Sequence, residues 1–210
     1  MAASGKWKVV ADILQHEIDE NPAGGPVDSN PFGVLAEPGG RLVADAGASA
    51  LLRVAANGTV ETVAVFSPLP NPTPVGPPMV EAVPTAVARG PDGALYVGQL
   101  TGFPFAPGVA NVYRMVPGQD PVVHCAGFKA IMDLAFGPDG SLYVVENATG
   151  GLFFAPNSGR LSRVAPGCNV TPVLEGLNRP TAVAVGADGA IYVTNNGVTA
   201  GVGQVLRIAP

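Results

Sequence analysis

Pro91-Asp92-Gly93-Ala94-Leu95-Tyr96-Val97 decides the fold, because the chain writes it again as Pro138-Asp139-Gly140-Ser141-Leu142-Tyr143-Val144 and as Ala187-Asp188-Gly189-Ala190-Ile191-Tyr192-Val193. A shorter copy, Gly39-Gly40-Arg41-Leu42-Val43, precedes them. Counted on Gly40, Gly93, Gly140 and Gly189, the intervals are 53, 47 and 49 residues. A period of about 40–50 residues built from short β-rich segments marks the blades of a propeller. Asp-Gly supplies a tight hairpin turn, and the Leu-Tyr-Val that follows is a strand.

Each repeat reads as four antiparallel strands, which make one blade. In the second repeat these are Pro84–Ala88, Ala94–Val97, Asn111–Val116 and Pro121–Cys125. The expected organisation is one all-β propeller domain over 1–210, with four blades of four strands at 30–66, 84–128, 130–177 and 180–208. A Pro-rich crossover, 67–83, joins the first two. The fourth repeat lacks its last strand. Lys6-Trp7-Lys8-Val9-Val10-Ala11-Asp12 is expected to supply it by pairing with Gln204–Ile208, so that the N-terminal strand closes the ring and no sheet edge is left open. Leu14–Glu20 suits a short helix ended by Asn21-Pro22.

Composition narrows the function. The 210 residues include 28 Gly and 22 Pro, with 47% hydrophobic and only 13% charged residues. That is a turn-rich chain with ample apolar surface for a core. The formal net charge is −5 and the 11 Lys and Arg are scattered, which excludes nucleic acid as the expected partner. No apolar run reaches the ~18 residues of a membrane span, and the start lacks the apolar region of a signal peptide. A soluble monomer is expected. The Ala/Gly/Val-rich, Lys-poor composition looks bacterial. Cys125 and Cys168 are expected on opposite faces of the disc, too far apart for a bridge, and therefore as free thiols.

Several stretches resemble the ScyD/ScyE family. They are Val27–Gly33, Gly40–Gly47, Val97-Gly98-Gln99-Leu100-Thr101-Gly102-Phe103-Pro104-Phe105 and Val193-Thr194-Asn195-Asn196-Gly197. The Pro-Asp-Gly repeats alone fit any NHL-like propeller. The resemblance covers essentially the whole chain. It implies a propeller, usually exported to an extracellular or periplasmic place, with no firmly established activity. Members are typically longer, with about six blades, and this chain resembles their C-terminal two-thirds. It is therefore either a four-bladed ring or a fragment of a six-bladed, TolB-like propeller.

Candidate chemistry falls on the face formed by the ends of the second strands and the crossovers into the first strands. Asp28, Asn30, Asp45, Gln99, Thr101, Asp133, Glu146, Asn147, Asn195 and Asn196 belong there. Oxygens converging from several blades suit a hard cation, and Asp45, Glu146, Asn195 and Asn196 are the expected ligands of a Ca²⁺ ion. Asp133 and Glu146 are the candidate acid–base pair. Gln99, Thr101, Phe103, Phe105, Phe153 and Phe154 are the candidate ligand-binding residues. Asp92, Asp139 and Asp188 read as turn residues on the opposite face. His16 and His124 are not expected to reach the channel, and no hydrolase elbow, zinc motif or phosphate loop is present. The leading expectation is a binding or accessory module that recognises a small molecule or a protein. The alternative is a metal-dependent, lactonase-like hydrolase.

Overall fold

The structure, a computed structural model, describes Gly5 and residues 7–151 and 156–210. The expectations placed on Lys6, Phe153 and Phe154 lie outside the described residues. Four antiparallel sheets follow one another along the chain. Blade 1 is β1 (Pro31–Glu37), β2 (Gly40–Asp45), β3 (Ala50–Ala55) and β4 (Val60–Val65). A two-stranded ribbon, β5 (Leu69–Pro70) and β6 (Met79–Val80), occupies the Pro-rich crossover. Blade 2 is β7 (Pro84–Arg89), β8 (Leu95–Gln99), β9 (Ala110–Met115) and β10 (Val122–Phe128). Blade 3 is β11 (Ile131–Phe136), β12 (Leu142–Glu146), β13 (Gly159–Ala165) and β14 (Asn169–Leu177). Blade 4 is β15 (Val183–Val185), β16 (Ile191–Asn195) and β17 (Gln204–Ile208).

The repeated turns build these sheets. Gly93, Gly140 and Gly189 have φ of 77°, 79° and 80°, which glycine adopts without the Cβ penalty. In blade 1 the same place is taken by Gly39 (φ 83°), whereas Gly40 already begins β2. The first copy of the repeat is thus aligned one residue earlier than the sequence pattern suggests. The turn aspartates are tied to their own turns. Asp92, Asp139 and Asp188 accept the backbone N–H of Ala94, Ser141 and Ala190 at 3.1, 3.0 and 3.1 Å. Each also meets an arginine from the third strand of its blade: Arg114, Arg163 and Arg207.

Strands buried on both faces explain the near-continuous apolar runs. Along β8, Leu95 and Val97 join the cluster shared with Leu42, Ala44 and Leu51 of blade 1. Tyr96 faces the other way, against Ile131, Leu134 and Val144 of blade 3. Val145, Leu161 and Leu177 pack on Val183, Ile191 and Val193 of blade 4. Each of these larger apolar side chains contributes about 1.5–3 kcal/mol on burial. Glycine allows the closest approaches between blades. A Cβ on Gly98 would lie 2.7 Å from Ile131 Cγ2, and one on Gly33 would collide with the Thr85 carbonyl.

Two expectations are corrected. Residues 7–12 form no strand, and β17 pairs with β16 alone, so blade 4 has three strands. Trp7 is 86% exposed, and no N-terminal strand closes the ring among the described residues. The inner strands pack in succession, β1 on β7, β7 on β11 and β11 on β15. Among the described residues no comparable packing joins β15 to β1. The N-terminal segment is held at blade 1 because its apolar residues find a surface there. Ala11 and Ile13 pack against the cluster of Val43, Ala48, Ala50, Leu52 and Val54. Helix α1 (Ile13–Glu20) follows, capped by the Asp12 side chain and ended by Asn21 in the left-handed conformation. His16 Nε2 and Thr62 Oγ1, 2.9 Å apart, fix the helix to β4.

The second correction concerns the cysteines. Cys125 and Cys168 form a disulfide with Cα atoms 5.5 Å apart. β10 does not end at Cys125 but runs on to Phe128. Cys125 is therefore a buried mid-strand residue that faces blade 3. The turn between β13 and β14, with Cys168 at φ 63°, reaches back to it. The bridge ties the outer strand of blade 2 to the outer hairpin of blade 3.

Candidate functional site

The polar residues that close the second strands occupy one equivalent position per blade: Asp45, Gln99, Glu146 and Asn195. Each reaches back to the crossover that enters its own blade. Asp45 Oδ1 accepts the Asn30 N–H at 2.6 Å, and Gln99 Nε2 donates to the Ala82 carbonyl at 3.0 Å. Glu146 Oε1 accepts the Lys129 N–H at 2.8 Å, and Asn195 Oδ1 accepts the Asn178 N–H at 2.7 Å. The separations are 15, 17, 17 and 17 residues. These side chains staple each crossover to its blade, and three of the four are almost fully buried. A buried polar group needs such partners.

The remaining bonds of these residues are also local. Asp45 takes Ser29 Oγ and the N–H groups of Gly47 and Ala48. Glu146 Oε2 receives the Arg160 guanidinium at 2.8 and 2.5 Å. Asn195 Nδ2 donates to Gln204 Oε1, and Asn196 bonds Asn178, Val202 and Gln204. The residues expected to share one cation are thus engaged blade by blade. Among the described residues one group of three His, Cys, Asp or Glu donors is close enough to hold an ion: His124, Cys125 and Cys168. Two of its members are the disulfide.

Asp133 and Glu146 are not brought together by a hydrogen bond among the described residues. Asp133 Oδ2 accepts the Val183 N–H at 2.9 Å and Oδ1 the Leu134 N–H at 2.9 Å. It bridges blade 3 to blade 4. Burial raises its pKa above the ordinary carboxylate value. Of the ligand-binding candidates, Gln99 and Thr101 are buried, at 1% exposure each. Phe103 is half exposed, lies edge-on to Phe105 at 6.3 Å between ring centroids, and rests against Gly76 of the crossover. His124 lies on the opposite face, where burial lowers its pKa, beside Tyr96 in an edge-on contact.

Two of the cavities among the described residues open at the crossovers and strand ends. One, of about 410 Å³, is lined by Leu100, Met132, Asn147, Arg179, Thr181 and Val198 at the ends of blades 2 to 4. The larger, of about 590 Å³, lies between α1, the loop that follows it, blade 1 and the start of the Pro-rich crossover. Glu17 and Ser49 are its deep polar residues, 2% and 8% exposed. Asp28, Ser67 and Glu81 stand at its rim, and Phe66, Val65 and Pro68 give it an apolar wall. Its lining holds no Lys, Arg or His among the described residues.

Glu17 is unlike the strand-end acids Asp45 and Glu146. Its Oε2 is buried and has no hydrogen-bond partner. Burial raises its pKa, and the Asp45 charge pushes the same way. A backbone N–H from Asp28 and the nearby His16 act in the opposite sense. A buried carboxylate oxygen without a partner costs free energy, and this one lies on a cavity wall. Gln99 Oε1 is also buried without a partner, but it is a neutral amide oxygen and lines neither cavity. Asp28 is legible in the sequence as a loop-face residue. Glu17, Ser49, Ser67 and Glu81 are not. One signal exists: Glu17 is four residues after Ile13, so it shares the face by which α1 packs on blade 1.

A scan against protein-family models and a search of curated proteins found no match. Solved structures do match. One is hydrazine synthase of Kuenenia stuttgartiensis, with TM-score 0.59, 18% identity, and 85% of this chain covering 46% of that one. A putative gluconolactonase gives TM-score 0.58 at 15% identity, covering 90% and 70%. A gluconolactonase from Xanthomonas campestris gives 0.56 at 17% identity, covering 81% and 55%. At these identities the matches show the β-propeller fold. The chain spans about half of the hydrazine synthase chain and of the Xanthomonas gluconolactonase, and more of the putative one.

Proposed function

We propose that the chain is a propeller binding module whose ligand site is the 590 Å³ cleft between α1 and blade 1. One observation carries this reading: the cleft holds a buried Glu17 carboxylate with an unpaired oxygen, whereas both strand-end carboxylates, Asp45 and Glu146, have hydrogen bonds to each oxygen. The volume is within the ~300–1,000 Å³ usual for small-molecule sites. The ligand is a small molecule and the module acts as a monomer. The resemblance to the ScyD/ScyE family supports an accessory role in an exported protein. The Cys125–Cys168 bridge supports the same location, since disulfides persist in oxidising compartments. The hydrolase alternative would need Asp133 and Glu146 to act as a pair, and both are already hydrogen-bonded elsewhere.

A fragment screen by ligand-observed NMR tests the reading. Hits are expected that disappear in Ser67→Trp, which fills the rim of the cleft while leaving the fold intact by circular dichroism. Hits that survive in Ser67→Trp, or an empty screen, would overturn it.

A further inference from the structure

We infer that the cleft selects an organic cation, a primary ammonium carried on an apolar body. The inference rests on the cleft being the binding site. Three acids face it and no base does: Glu17 at the base, Asp28 and Glu81 at the rim. The other charged groups acting on Glu17 are Asp45, which adds negative potential, and His16, which is bonded to Thr62. Asp45 is itself saturated by Ser29, Asn30, Gly47 and Ala48. The net field at the base of the cleft is therefore negative.

The unpaired Glu17 Oε2 is an acceptor without a donor. An ammonium N–H is the donor that satisfies it with charge assistance, and such bonds are about twice as strong as neutral ones. The Ser49 and Ser67 hydroxyls accept further N–H groups, since an ammonium carries three donors. Phe66, Val65 and Pro68 then cover the apolar body of the ligand. A bare metal ion suits the cleft less well. Its acids do not form one of the compact donor groups found among the described residues, and a divalent ion demands a tight shell of six or more oxygens.

The experiment is a ¹⁵N–¹H titration of the full chain at pH 7.5 with hexylammonium, hexanol and hexanoate, three probes of equal length and different charge. Hexylammonium is expected to shift the amides of Gly24, Gly25, Gly47 and Ser49 with at least tenfold tighter binding than hexanol, and hexanoate not to bind. Glu17→Gln is expected to remove the advantage of the cation and leave the residual apolar binding. Ser67→Trp is expected to remove the binding of both hexylammonium and hexanol. If the probes bind the cleft equally, or the preference survives Glu17→Gln, the cation inference fails while the cleft reading stands. If no probe shifts these amides, both fail.

Discussion

Removing the Cys125–Cys168 bridge, by the double change to Ser, isolates one contribution to the stability of this fold. The two residues are 43 apart in sequence, so the bridge closes a long loop in the unfolded chain. The chain-entropy relation, −2.1 − 1.5R ln n with n of 43, gives about −13 cal/mol/K, or about 4 kcal/mol at 25 °C. Little native packing disappears with the sulfurs, since Ser fits where Cys stood and Phe128, Val112 and Ile131 still cover the site. Urea denaturation followed by circular dichroism measures the change. The double variant is expected to be less stable by about 3–4 kcal/mol. It should also show a larger m-value, because an uncrosslinked unfolded chain exposes more surface. A difference below ~1 kcal/mol with an unchanged m-value would refute the loop-entropy argument. It would mean that blades 2 and 3 are held by packing alone.

Four further outcomes follow from packing and charge. Gly33→Ala places a methyl against the Thr85 carbonyl at the interface of blades 1 and 2, and should cost about 1–3 kcal/mol in urea denaturation. Glu146→Gln removes the charge that Arg160 pairs with at 0% exposure of the carboxylate, and should cost about 1–3 kcal/mol in the same assay, marking Glu146 as a staple. The Asp139 carboxyl is held below its ordinary value of 3.8 by the Ser141 hydroxyl and N–H, and Asp188 by the Ala190 N–H. Their contribution to stability is therefore full above pH 3.8 and lost as pH falls below it. Glu17 has the opposite sign: with a folded pKa raised above 4.5, its charged form weakens the fold as pH rises through that value. Glu17→Gln should raise the melting midpoint at pH 7, and the gap should close below pH 4.5.

The fold is legible in the sequence because its signals are local and repeated. Asp-Gly at Asp92, Asp139 and Asp188 sets a turn whatever surrounds it, and the Leu95–Val97 type of strand follows from that turn. The start of the chain is not legible for the same reason. Whether residues 7–12 join β17 or rest on blade 1 depends on tertiary packing of Ala11 and Ile13, which no local pattern encodes. The disulfide is hidden because Pro121–Cys125 reads as a complete strand, whereas β10 runs on for three more residues and leaves Cys125 in mid-strand, with its Cα 5.5 Å from that of Cys168, and not at the strand end. The candidate site shows the limit of reading residue types. Asp45, Glu146 and Asn195 have the chemistry of metal ligands, yet oxygen acceptors at strand ends are also what a crossover N–H requires. What separates Glu17 from them is a missing partner, a property visible only in three dimensions.

A crystal of the chain soaked with hexylammonium, with density inspected in the cleft, tests the central claim most directly. The account predicts the ammonium within hydrogen-bond distance of Glu17 Oε2, with the alkyl chain along Phe66 and Pro68. Density for the probe at the strand-end cavity of Leu100, Asn147 and Thr181, with the Glu17 cleft holding only solvent, would contradict it.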